Sequence, residues 1–164
     1  MNNLKGKGLH RKFFSDLVEA ERQRMSAEHF VKVVLPIAQD NKMLIRALER
    51  LHKSVVLTIS SILQFEYLND GVKLYREKDK NLEVFFDKCA SRYDLERKDF
   101  KVLREMLLLG RKHRESGIEF SRKKGAIILD DDLKHYSINV NKLNEFFRVG
   151  RVLLDGARKT FKTH

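Results

Sequence analysis

Leu44, Leu48, Leu51, Val55, Thr58, Ile62 and Phe65 recur in alternating steps of four and three. That spacing draws one apolar stripe along an α-helix. Ile45, Val56, Ile59 and Leu63 widen the stripe, and no residue from Val55 to Phe65 is charged. A helix apolar over so much of its circumference needs other helices around it. The segment is therefore expected to be the central helix of a bundle. Asp40 is placed to cap its start, and Asn69-Asp70-Gly71 signals a turn after about Leu68.

The flanking text supplies the surrounding helices. Ser15 can cap a helix carrying Leu17, Val18, Phe30, Val33 and Val34 towards Pro36, with Ser26 as a second cap if it forms in two pieces. Leu82, Phe85, Phe86 and Cys89 share one helical face. Asp94 can cap the next helix, in which Phe100, Leu103, Leu107 and Gly110 repeat the spacing and Met106, Leu108 and Leu109 thicken it. Asn139 can cap a last helix with the seam Val140, Leu143, Phe147, Gly150, Leu154, Ala157 and Phe161. Small Gly150 and Ala157 let another helix approach closely, inside the bundle or across a homodimer through the C-terminal helix. Glu66, on the apolar central segment, calls for a Lys or Arg partner at the edge of the core.

Between residues 110 and 138 the helical pattern stops. Ile118-Glu-Phe120 and Ala126-Ile-Ile-Leu129 read as short strands joined by a Gly-containing connection, Ser121–Gly125. Lys134–Ile138 can add a third. A lone hairpin is marginal in water, so this one must lay an apolar face on the bundle. The expected fold is all-α: an up-and-down bundle of four to six helices, with a short β-hairpin or β-meander near 117–138 before the C-terminal helix. Residues 1–12 are expected as a flexible basic tail and 13–164 as a single helical-bundle domain.

Composition excludes several classes. No run of about 18 apolar residues occurs, since Lys53 and Glu66 interrupt the closest one, so no membrane span is expected. Met1–Lys12 carries Lys5, Lys7, Arg11 and Lys12 without an acid, and no apolar stretch follows to make a secretory signal. Cys89 is the single cysteine, which rules out an internal disulfide and a Cys-rich zinc cluster and fits a reducing, cytoplasmic setting. No nucleotide-binding glycine loop or nucleophile elbow is present, and no cofactor is expected.

The net charge is +11, spread as +5 before residue 83 and +6 after it. Such a field attracts phosphate polymers. Arg111, Lys112, Arg114, Arg122, Lys123 and Lys124 fall within fourteen residues, with His113 among them. Cations at a helix C-terminus and at a turn tip also need no function to explain them. Joined into one patch, and with Lys5, Lys7, Arg11 and Lys12, they would bind RNA or a ribonucleoprotein, with Phe120 or Tyr136 stacking on a base. Asp130, Asp131 and Asp132 close behind would repel phosphate or pair with the basic tip. A non-enzymatic binding module is the first functional reading.

Histidine spacings offer an alternative. Glu49-x-x-His52 is a carboxylate–histidine pair on a helix, and Asp132-x-x-His135 resembles it off a helix. Glu66 lies about 21 Å further along the helix axis, so no di-iron site and no metal is expected. Arg-x(4–6)-His occurs as Arg24/His29, Arg46/His52 and Arg158/His164. That spacing resembles the one found in helical-bundle ribonucleases of the HEPN class. The resemblance implies metal-independent RNA cleavage, or an inactive relative, with His as acid/base and Arg on the phosphate. A protein–protein scaffold through the last helix is the remaining possibility.

Overall fold

A computed structural model describes the backbone of residues 2–163 and the side chains from Arg11 to Thr163. Helix α1 (Asn2–His29) runs on through a π-helical turn, Phe30–Val34, into α2 (Leu35–Ala38). Ser15 and Ser26 therefore lie inside continuous helix and cap nothing. Residues 2–12, expected as a flexible tail, have helical backbone, while the side chains of Lys5 and Lys7 lie outside the described residues. The π turn has a local cause. The Leu35 N–H reaches the Phe30 carbonyl five residues back, and Pro36 then has no N–H to resume the ladder. Gln39, in the left-handed region at φ 51°, ends the helix.

Asp40 starts α3 (Lys42–Leu68) as expected, its Oδ1 accepting the Lys42 N–H at 2.9 Å. Helices α1, α5 (Arg97–Glu115) and α6 (Val140–Lys162) all pack on α3. Every residue of the central seam is buried, whereas Val56, expected to widen it, is 44% exposed. At one end of the bundle Phe13, Phe65 and Phe161 interlock, the last two stacked at 4.4 Å between centroids. This cluster joins the middle of α1 to the ends of α3 and α6.

Between α3 and α5 run α4 (Lys78–Val84), a π turn (Phe85–Cys89) and a 3-10 turn (Ala90–Arg92). Phe85, Phe86 and Cys89 are buried, and burial raises the Cys89 thiol pKa, which makes it an inert core residue. Glu66 is buried at the core edge. Tyr93 donates its hydroxyl to Glu66 Oε1 at 2.7 Å, and Arg92 pairs with Oε2 at 3.1 Å. Asp94 does not cap α5: it sits at φ 63° in the preceding turn. Glu96 and Asp99 form a capping box instead.

Three strands, β1 (Ile118–Arg122), β2 (Gly125–Leu129) and β3 (His135–Ile138), form an antiparallel meander in chain order. Arg122 pairs with Gly125, so the tip is the two residues Lys123 and Lys124 rather than five. Ala126, Ile128 and Ile138 join the main core, which anchors one sheet face to the bundle. Asn139 then caps α6, accepting the Lys142 N–H at 2.8 Å. From Leu143 to Phe161 the last-helix seam is buried, with Gly150 against Leu51 and Val55. That face is filled within the chain.

Gly156 marks the closest approach of α6 to the α4–α5 connection. A Cβ there would lie 2.6 Å from the Tyr93 carbonyl oxygen, which is backbone and cannot swing away. Gly156→Ala is expected to lower stability by about 1–3 kcal/mol, against the helix propensity it gains. Urea denaturation followed by CD checks this; a stabilised variant would contradict the packing described.

Candidate nucleic-acid interface

The sequence cluster at 111–124 divides in space. Lys112 and Arg114 occupy the last turn of α5 with Arg111 just before it, and Arg122, Lys123 and Lys124 form the far end of the meander hairpin. The length of β1, about 13 Å at ~3.3 Å per residue, separates the two groups. Lys112 is half-buried and turned away from the tip. Its Nζ pairs with Asp130 Oδ2 at 3.1 Å and lies 5.5 Å from the centre of the Tyr136 ring.

Asp130 is a structural residue. Its Oδ1 accepts the backbone N–H groups of Asp132 and Lys134, and its Oδ2 accepts from Lys112 and the Tyr136 hydroxyl. The Lys134 N–H, then Lys112 and Tyr136, hold its carboxyl below the ordinary aspartate range. The first aspartate therefore shapes the β2–β3 turn and neutralises Lys112, leaving the basic tip untouched. Asp131 and Asp132 are exposed in that turn, at the opposite end of β2 from the tip.

The tip has other neighbours. Asn41 donates its side-chain N–H to the Arg122 carbonyl, and the Ser121 hydroxyl reaches Asp40 Oδ1 at 3.3 Å. These bonds seat the hairpin end on the N-terminal end of α3, beside Lys42 and Arg46. Arg122, Lys123, Lys124, Lys42 and Arg46 are all exposed and form no salt bridge among the described residues. Elsewhere several carboxylates are occupied by cations. Glu28 takes Arg24 at 2.6 Å, Arg151 at 3.0 Å and Lys32 at 3.3 Å, and Glu21 takes Arg24 at 2.7 Å.

A cleft of about 490 Å³ opens beside the same end of α3, lined by Lys42, Arg46, Glu49, His113, Ser116 and Glu119 among others. His113, on α5, bonds Glu119 through Nδ1, and its Nε2 lies 3.8 Å from Glu49 Oε2. Such a histidine is oriented by one carboxylate and flanked by a second. Among the described residues no group of three or more His, Cys, Asp or Glu is placed to hold a metal ion.

Neither of the two Arg-x(4–6)-His pairs that lie wholly among the described residues, Arg24/His29 and Arg46/His52, joins its Arg and His in this cleft. Arg24 is engaged by Glu21 and Glu28. His52 is buried against α5, where Gly110 leaves room for its ring, while Arg46 points into the cleft lining. Burial, with Arg114 and His113 nearby, depresses the His52 pKa to about 4, so the ring is neutral near pH 7. Arg158 lies 3.7 Å from Glu21, and His164 is outside the described residues. No family model, no curated protein and no solved structure matches the chain. The geometry alone therefore carries the functional reading.

Arg11 and Lys12 do not join the tip, and the side chains of Lys5 and Lys7 lie outside the described residues. Phe13 packs on Phe65 at the end of α3, about 35 Å by helical rise from Lys42, so Arg11 and Lys12 are exposed at the far end of the bundle. The sequence does not tie Lys42 to the tip and offers Arg46 only as a partner of His52, because both lie some eighty residues from the tip they flank. Their i,i+4 spacing on the polar side of an apolar seam is the one signal that could have drawn attention to them.

Proposed function

We propose that the protein is a non-enzymatic module that binds RNA, bare or within a ribonucleoprotein, through the cationic face of the meander tip and α3. The carrying observation is that Arg122, Lys123 and Lys124 are fastened beside Lys42 and Arg46, all exposed and without salt bridges among the described residues. Five cations on one surface attract a phosphate backbone with little reorganisation. Among the described residues no helix is long and apolar enough to cross a membrane. A cytoplasmic setting belongs to the same reading, supported by the single buried thiol of Cys89. Fluorescence anisotropy with labelled RNA tests it: submillimolar binding is expected at about 50 mM salt, and no detectable binding there removes the reading.

One observation favours a second reading, a metal-independent ribonuclease. Arg46 and His113 line the same cleft, although not through the spacing in the sequence. His113 would move the proton and Arg46 would hold the phosphate. RNA cleavage in EDTA that disappears in His113→Ala is the expected result on this reading. An intact RNA substrate after prolonged incubation with the wild-type protein would dismiss it.

A further inference from the structure

The pleat of the meander sends alternate side chains to opposite faces. Glu119, Ser121, Ala126, Ile128, Tyr136 and Ile138 take the inward face: Ala126, Ile128 and Ile138 enter the core, and Glu119 and Ser121 bond His113 and Asp40. By register, Ile118, Phe120 and Arg122 share the other face with Ile127, Leu129, His135 and Ser137. None of Ile118, Phe120, Ile127 and Leu129 belongs to the main core or packs on it. Ile127, on the central strand, is buried at 4% exposure beneath its neighbours, Phe120 and Leu129 are half-buried, and Ile118 at 52%, Arg122, His135 and Ser137 are exposed. No carboxylate side chain belongs to this face, because Glu119, the acid of β1, is turned inward to His113.

We propose that this outward sheet face is a stacking platform for single-stranded RNA, with Phe120 receiving a base and Arg122 the adjoining phosphate. The inference rests on the cationic-face reading above and adds to it the form of RNA and the residue that selects it. Phe120 sits opposite Ile127, and the Arg122 guanidinium lies 5.7 Å from its ring centre. An aromatic ring beside an unpaired guanidinium serves a base and its phosphate together. Three strands at ~4.8 Å spacing give a platform about 10 Å across, enough for one or two nucleotides. In a duplex the bases are stacked on each other and their faces are not available, so a stacking ring prefers single strands. Lys123 and Lys124 extend the cationic end of this face, while the exposed Asp131 and Asp132 lie in the turn at its other end, so a polyanion would lie towards the tip.

Three variants and two RNAs separate this inference from the reading beneath it. The probes are a labelled single strand of about twelve nucleotides and a hairpin duplex of similar charge. The wild-type protein is expected to prefer the single strand. Phe120→Leu keeps apolar volume but removes the π face, and is expected to lose about tenfold in single-strand affinity, with Phe120→Trp restoring it. An unchanged far-UV CD spectrum and unfolding midpoint show that each variant is folded. If Phe120→Leu binds like wild type while Lys123→Glu/Lys124→Glu does not, stacking is wrong and the cationic reading stands. Equal affinity for duplex and single strand also overturns it. No binding of either RNA at low salt defeats both.

Discussion

Acidification from pH 6.5 to pH 4 is expected to remove about 3 kcal/mol of stability through His52 alone. The sign follows from where the proton binds. Above pH 6.5 the imidazole is neutral in both folded and unfolded chains, and its burial costs nothing electrostatic. As pH falls below 6.5, the unfolded chain takes up the proton while the folded one, with a pKa of about 4, does not. Unfolding then binds a proton, so stability falls by ~1.4 kcal/mol per pH unit until the folded state protonates as well. Below pH 4 the loss levels off.

The structural cause is the fit of His52 against α5. A Cβ at Gly110 would lie 2.0 Å from the ring, so the imidazole occupies the space a side chain would need. Arg114 and His113 add positive charge from the same helix, which further disfavours imidazolium. Carboxylates titrate over the same range, so the comparison must be differential. Urea unfolding of the wild-type chain and of His52→Leu, across about pH 4 to 7, isolates the histidine. The gap between the two curves should change by about 3 kcal/mol over the interval; parallel curves would show that His52 is not buried as described.

Charge reversal at the cationic face carries the second large effect. Arg122→Glu/Lys123→Glu/Lys124→Glu replaces three attractive charges with three repulsive ones on an exposed tip whose anchoring bonds, from Asn41 and Ser121, use the Arg122 carbonyl and the Ser121 hydroxyl rather than the altered side chains. The fold should therefore survive. RNA affinity is expected to fall by about a hundredfold or more at ~50 mM salt. Lys42→Glu/Arg46→Glu should weaken binding as well, although these residues lie far away in sequence. Reversal of Arg11 and Lys12, at the other end of the bundle, should leave tip-dependent binding nearly unchanged. Equal losses at both ends would mean a diffuse attraction without a face.

Helical periodicity made the bundle legible. The Leu44–Phe65 seam became the buried centre, Asp40 and Asn139 accept backbone N–H groups at the starts of α3 and α6, and Gly150 meets Leu51 and Val55 at the crossing of α3 and α6. Local rules failed where one polar residue had several possible roles. Ser15 and Ser26 have the chemistry of caps but stand within helix, and Asp94 turns the chain while Glu96 caps it. The charge arithmetic of residues 111–132 was harder to read. Lys112 on α5 and Asp130 after β2 find one another, which removes one cation and one acid from the apparent cluster. The cleft was invisible because it unites α3, α5 and β1, and no spacing rule spans about seventy residues.

The most direct test of the cationic face is the salt dependence of RNA binding. Five phosphate contacts on a single strand predict a slope of about −3.5 in a plot of log affinity against log salt, at ~0.7 per contact. Removing Lys123 and Lys124 should reduce the slope by about one to one and a half. A slope near zero, or one that the tip substitutions leave unaltered, would contradict the assignment of the RNA-binding surface to this end of the molecule.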